Sequence, residues 1–335
     1  MNGRNLMNIL VTGGFGNIGM VVVNECLRRG HKVSIFEIPN RRTEKLARKY
    51  IKRNVKVWLG DLRKADDIAN AIIDQDVVIH LAAILPPISE ERPDLCKAVN
   101  VVGTDNLIGA LRKSSKRPAL VEVSSASVMG PTQNRTPPVQ PNDPVSPTDV
   151  YSSSKIEAEA LVKVSGLQYC ILRLAAVLPT HINLFSMLKM IKMIFDMPLN
   201  ARCEIVFEID VAYALVSAAE NLSGSGKLSG KTGFIAGGRQ QSCQIVIKDM
   251  LMGVFNPMGL DIPDESLFPP DLNSYYLDWY ETKEMQSILG YQRHTFEQWQ
   301  EIITKNYRFL RPLIYLFRKR IMKWIEKQSP RQIKA

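Results

Sequence analysis

Paired cysteines, long apolar runs and internal repeats are all missing from this chain of 335 residues. The five cysteines, Cys26, Cys96, Cys170, Cys203 and Cys243, are odd in number, scattered and never spaced as CxxC. That pattern excludes a disulfide framework, leaves no metal site expected, and points to a reduced, cytoplasmic setting. Histidine is scarcer still, and His31, His80, His181 and His294 stand in no metal-like spacing. No apolar run approaches the roughly 18 residues of a membrane-spanning helix. The early run Asn8–Thr12 is too short and too glycine-flanked for a signal peptide. What remains, 45% hydrophobic and 23% charged residues, is the composition of a globular protein.

Charge of one sign is also unevenly placed. Of the net +10, eight charges belong to residues 308–335, where nine basic side chains meet one acid, Glu326. The body is therefore almost neutral. With no aromatic platform or base-reading motif behind the basic residues, a nucleic-acid partner is not expected. Leu310, Leu313, Ile314, Phe317, Ile321, Trp324 and Ile325 share one helical face, opposite Lys319, Arg320, Lys323, Glu326 and Lys327. Such a helix either makes a peripheral contact with an anionic membrane through 308–327, or docks its stripe on the protein itself or a partner subunit.

The first half alternates β-type runs with amphipathic stretches. Strands are expected at Asn8–Thr12, Lys32–Glu37, Val55–Leu59, Val77–Leu81, Leu120–Ser124 and Tyr169–Leu174, with helices near 18–29, 42–52, 65–74, 91–113 and 150–165. Near-continuous Val/Ile/Leu strands separated by helices describe a parallel sheet covered on both faces, a doubly wound α/β fold of the Rossmann type. Past residue 175 the alternation degrades into a smaller C-terminal substrate lobe, 176–305, some of whose strands rejoin the sheet, followed by the basic tail, 306–335. Within the lobe, helices are expected over 180–200, Asp210–Asn221 and Gln244–Gly253, a strand over Thr232–Ala236 and a loop over 257–271.

"VTGGFGNIG" sets Gly13, Gly16 and Gly19 between the first strand and its helix, with Asn17 and Ile18 opening that helix. Glycines there permit a tight turn and close approach of a pyrophosphate to the helix N-terminus. Glu37 ends the second strand, where an acid accepts from the adenosine ribose hydroxyls and repels a 2′-phosphate. NAD is the expected cofactor, with NADP the lesser alternative because Arg41 and Arg42 follow.

"DVYSSSK" places Tyr151 and Lys155 one helical turn apart. Alone this spacing fits an exposed helix as well as a site. A tyrosine with a pKa of about 10 is a poor base unless a nearby cation stabilises its phenolate. Ser146 is expected as N-cap, with Pro147 opening the helix and Asp149 reaching back. The third component is "VEVSSAS", which ends a strand in Ser124 and Ser125 at the carboxyl edge where such sheets bind ligands.

In combination, "TGGFGNIG", "GDL" (60–62), "HLAA" (80–83), "NVVGT" (100–104), "SSASVMG", "YSSSK" and "DVAYA" resemble the extended short-chain dehydrogenases/reductases, the NAD-dependent epimerase/dehydratase family. The resemblance implies Ser125, Tyr151 and Lys155 as catalytic, with Tyr151 and Lys155 also touching the cofactor. It implies that Asp61 and Leu62 flank adenine, that Ala82 and Ala83 line the cofactor, and that Asn100 is structural or relay-like. It further implies a homodimer packed through helices 91–113 and 150–165, with Leu107 or Leu161 available for burial. Ala126 and Ser127 stand where dehydratases resemble Asp-Glu, which argues against sugar dehydration, and Met129 is expected in a pocket wall. Ala176 stands where nucleotide-sugar members commonly carry asparagine, and Arg202 has no clear base-clamping companions. The leading expectation is an epimerase acting on a (nucleotide-)sugar through a transient ketone. The alternatives are an NAD(P)-dependent dehydrogenase/reductase of a lipid-like alcohol, and a non-enzymatic dinucleotide-sensing or RNA-associated protein.

Overall fold

The computed structural model describes residues 6–180, 191, 193–273 and 275–331. Seven parallel strands form the main sheet: β1 (Asn8–Thr12), β2 (Lys32–Glu37), β3 (Lys56–Leu59), β4 (Val77–His80), β5 (Ala119–Ser125), β6 (Tyr169–Leu174) and β9 (Lys231–Ile235). Their order is β3-β2-β1-β4-β5-β6-β9, so the strand order reverses between β1 and β4. Crossovers leave a crevice there, outside the carboxyl ends of the strands. This is the expected Rossmann architecture.

Period-two alternation explains how β5 serves both layers. Val121 and Val123 join the core cluster under α1 (Asn17–Arg28) and α8 (Glu208–Ser223). Leu120 faces the opposite layer, with Leu107 of α6 (Gly103–Lys113) and Val162 of α7 (Val150–Lys163). Glu122 and Ser124 share the face of Leu120, and both reach side chains of α7.

The second lobe holds a three-stranded sheet, β10-β8-β7, from Gln244–Val246, Arg202–Phe207 and Ala176–Leu178. None of these three strands was expected, and Gln244–Val246 takes the start of an expected helix, which instead runs Ile247–Met258. Between them the chain returns to the main body as α8 and β9, with β9 pairing β6. The expected helix over 91–113 is broken at Arg92-Pro93 and contains a π-turn, Ala98–Val102, before α6 begins.

Two corrections concern outer surfaces. Leu107 is fully buried beneath its own sheet and Leu161 packs partly against the same cluster, so Leu107 is not available to a second subunit. The tail forms α12, Arg311–Glu326, after α11, Phe296–Tyr307. Ile325 is buried in the lobe core, Ile314 and Ile321 pack beside it, and Ser329 Oγ donates to the Leu267 carbonyl at 2.9 Å. The same helix leaves Leu313, Leu316 and Trp324 exposed, as is the preceding Phe309. So the stripe expected to act as one is divided: one edge docks and the other does not.

His181 and residues 187–190 and 192 of the Met-rich stretch 187–197 lie outside the described residues, as does most of the helix expected over 180–200. All five cysteines are buried and free, and no metal-binding cluster occurs among the described residues. Nor is any described helix long and apolar enough to cross a membrane.

Candidate active site

One cavity of about 530 Å³ runs along the crevice. Its walls include Gly13, Gly16, Asn17, Ile18, Gly19, Glu37, Asp61, Leu62, Ala82, Ala83, Ser125 and Tyr151. Every expected site residue except Lys155 therefore meets the same space.

At the phosphate end, Gly13 has φ +68°, and a Cβ there would come within 2.9 Å of the Ala82 backbone. The glycine brings the β1 turn against the exit of β4. The α1 N-terminus, with Gly16 as its N-cap, has no side-chain capping bond. Its first amides, which as in any helix lack intrahelical acceptors, therefore have no side-chain acceptor either, as an anion site requires. At the adenosine end, Glu37 accepts from the Phe15 amide at 2.9 Å and the Ile38 amide at 3.2 Å. Burial raises its pKa despite those bonds and the nearby Arg42. Arg42 itself donates to the Phe15 carbonyl at 3.0 Å. Asp61 is held by the Arg63 guanidinium at 2.9 Å, which keeps its carboxyl below the usual range. A glycine cradle, an uncapped helix start and an acid at the second strand's end together fit a dinucleotide.

The reactive end is built on α7. Its N-cap is Asp149, not Ser146: the carboxylate accepts from the Ser152 amide at 2.6 Å and Ser152 reciprocates in a capping box. Asp149 wins because Ser152, three residues on, completes the box. Glu90 adds a second acid at this helix start, accepting from the Val150 and Tyr151 amides at 3.1 and 3.2 Å. Tyr151 is half-buried and faces the cavity. Burial raises its phenol pKa, while the Lys155 ammonium and a hydrogen bond from Ser125 oppose the rise. Ser125 Oγ lies 2.9 Å from Ser127 Oγ and accepts from the Ser127 amide.

Lys155 departs from expectation. Its ammonium does not line the cavity but is buried behind Tyr151, donating to Glu122 Oε1 at 2.7 Å. Glu122 is the residue that reading the sequence missed. The available signal was an acid inside the otherwise apolar strand ALVEV.

Neighbouring polar groups hold this frame. Ser124 Oγ donates to Glu159 at 2.7 Å, and Arg173 pairs with the same carboxylate at 2.9 and 2.7 Å. Met129 is buried, with its sulfur 3.3 Å from Arg173, and is core rather than cavity wall. Asn100 bonds both the amide and the carbonyl of Ile84 and reaches Ser154 at 2.9 Å, so it staples the loop after β4 to α7 and is structural. His80 sits between Thr12 and Thr104, and burial lowers its pKa to about 4. Arg202 is consumed by Asp278 and by the carbonyls of Thr132, Gln133 and Arg135. The same cavity is also lined by Ile84, Leu85, Val99, Leu174, Val177 and Pro179, and by one acid, Glu208.

A profile of the 3-beta hydroxysteroid dehydrogenase/isomerase family matches residues 10–269. The chain belongs to that family. It is of the extended short-chain dehydrogenase/reductase type that the motifs resembled, and its family members are enzymes. A 3-beta-hydroxysteroid dehydrogenase of Mycolicibacterium neoaurum is 30% identical over 167 residues, 47% of this chain and 43% of that protein. The chain thus matches less than half the length of this curated relative. The UDP-Glc/GlcNAc 4-epimerase of Campylobacter jejuni shares the fold with a TM-score of 0.72 at 18% identity, covering 89% of this chain and 98% of that one. A short-chain dehydrogenase/reductase superfamily protein of Agrobacterium tumefaciens with bound NAD has a TM-score of 0.71 at 20% identity, covering 94% and 99%.

Proposed function

We propose that this family member is an NAD-dependent dehydrogenase/reductase of a secondary alcohol or ketone on an apolar, lipid-like molecule. The observation that carries the reading is the one crevice shared by a dinucleotide cradle, Ser125 and Tyr151, whose further lining is apolar apart from Glu208. Gly13, Gly16, Gly19 and Glu37 would hold the cofactor, as Glu37 and the engagement of Arg42 favour NAD over NADP. When bound, NAD supplies the acceptor for the hydride that leaves the carbinol carbon. Ser125 would hold the substrate oxygen, and Tyr151 as phenolate would take its proton, leaving a ketone. Lys155 stabilises that phenolate from behind.

Two further observations support an apolar substrate. Arg202, the cation that a nucleotide phosphate could use in the second lobe, commits its Nε and Nη2 to Asp278 and to backbone carbonyls. The outer edge of α12 combines exposed Leu316 and Trp324 with Arg320 and Lys323, which suits peripheral docking on an anionic membrane. The same catalytic groups serve a sugar epimerase, and the likeness to a UDP-Glc/GlcNAc 4-epimerase keeps that as the second reading. We also propose homodimerisation through the helices of 91–113 and 150–165. With Leu107 buried, its contact would rest on outward residues such as Ala160 and Val164. Incubation with NAD and a panel of sterols, long-chain secondary alcohols and UDP-sugars separates the readings. Net NADH from an apolar alcohol supports the first, and interconversion of UDP-sugars without net NADH supports the second.

A further inference from the structure

Glu122 does not line the cavity, yet it carries a buried carboxylate beside the reactive end of the site. Its carboxylate is fully buried in β5, an interior strand of a parallel sheet flanked by β4 and β6. One oxygen accepts from Lys155 at 2.7 Å, and the other, Oε2, has no hydrogen-bond partner among the described residues. Removing a charge from water without full hydrogen bonding is unfavourable, so the position demands a reason. An apolar residue would satisfy β5 equally well, as Leu120, Val121 and Val123 do.

We propose that Glu122 is a positioning residue: it fixes the Lys155 ammonium behind Tyr151 and, by neutralising part of its field, sets the pH at which the phenol gives up its proton. The inference rests on Tyr151 being the proton-transfer group. An ammonium has three donors, so engaging one on Glu122 leaves two that other acceptors can use. With its counter-ion in place, Lys155 acts on the phenol as one end of a dipole rather than as an isolated cation. Glu122 thus opposes ionisation of Tyr151 while Lys155 promotes it.

The remaining groups around the trio do not replace this control. On β4, His80 stands opposite Glu122 in register and is neutral at physiological pH because burial depresses it. On β6, burial keeps Cys170 a thiol. On α7, Glu159 is committed to Arg173 and Ser124, and Asp149 caps the helix. Cys96 and Glu90 lie on the short helices before α6, where burial raises the thiol and Glu90 is engaged by the α7 amides. Tyr276 approaches from the second lobe as a phenol that keeps part of its surface in solvent and whose pKa is raised.

The coupling is readable without turnover. Full-length protein is labelled at tyrosine Cζ, and the resonance missing from Tyr151→Phe is followed through a pH titration. Glu122→Gln should lower the pKa of Tyr151 by about one unit or more, the size of a nearby-charge effect. Glu122→Asp should restore it towards the wild-type value. In a Lys155→Met background the same Glu122→Gln change should still lower the phenol pKa, because removing a carboxylate favours phenolate directly, but by less than in the wild-type background, because the part of the effect that acts through the position of the Lys155 ammonium is gone. That double variant also retains a neutral core pair, so it reports even if the single variant folds poorly. A Glu122→Gln protein titrating at the wild-type pH overturns the proposal. Should Tyr151→Phe keep full turnover, the catalytic reading of Tyr151 fails on its own, while the titration still decides the Glu122 coupling.

Discussion

Lys155 and Glu122, 33 residues apart in sequence, meet at 2.7 Å with both side chains buried. The lysine of the Tyr-x-x-x-Lys pair is thus half of a buried ion pair as well as a neighbour of the reactive phenol. Breaking such a pair from one side leaves an uncompensated charge, at a cost of about 3–5 kcal/mol. Lys155→Met is expected to lower the chemical-denaturation midpoint by that measure, and to weaken both NAD binding and turnover. A variant as stable as wild type would show that Glu122 is not held by Lys155.

Cofactor choice should follow Glu37. Its carboxylate bonds the Phe15 amide, and Arg42 is turned to the Phe15 carbonyl. Calorimetric titration of cofactor-free protein is expected to give tighter binding of NAD than of NADP, with the preference reduced or reversed in Glu37→Ser. Tighter NADP binding by the wild type would mean that Arg41 and Arg42 dominate.

Acid stability should depend on Glu159. Burial raises its pKa, but Arg173 and Ser124 outweigh it, so the folded value lies below the ordinary 4.5. A lowered folded pKa means that the group's stabilisation is present above about 4.5 and lost as pH falls through the folded value. Denaturation midpoints measured downward from pH 7 should drop more steeply below about 4.5 in wild type than in Glu159→Gln, which has no carboxylate to protonate. Parallel curves would place the acid sensitivity elsewhere.

The divided tail helix calls for outward substitutions rather than truncation, because Ile325 belongs to the lobe core. Basic residues near an anionic surface contribute on the order of 1 kcal/mol each, and the attraction fades over a Debye length of ~8 Å at physiological salt. Wild type is expected to sediment with phosphatidylglycerol vesicles at low salt, release at high salt and ignore phosphatidylcholine. Combined Phe309→Ser, Leu316→Ser and Trp324→Ser should abolish sedimentation and leave NAD binding intact. Unchanged sedimentation by that variant would refute the membrane reading.

The main sheet and the glycine, serine and tyrosine positions were legible because they depend on local patterns: buried parallel strands, a strand-to-helix glycine turn, and residues four apart on a helix. Contacts between distant segments were not. Ala176–Leu178, Arg202–Phe207 and Gln244–Val246 are short strands whose pairing, not their pattern, makes them strands. Ser146-Pro147 looked like a helix start until Ser152 completed a box with Asp149. Leu107 lies on an amphipathic helix whose buried side could be assigned only once the sheet was in place. Glu122 hid in an apolar run because its partner lies on another element.

Tyr151→Phe tests the central claim most directly, since it removes only the phenol hydroxyl, the group that carries the transferable proton, and little volume. NADH formation from the apolar alcohol that responds in the substrate panel should fall by about 10²–10⁴-fold, the usual weight of general acid–base catalysis. The Kd for NAD, measured on the same preparation, should stay within about twofold of wild type, because the glycine cradle and Glu37 are untouched. That split between lost turnover and intact binding is the predicted result. Turnover by the phenylalanine variant at the wild-type rate would contradict the account.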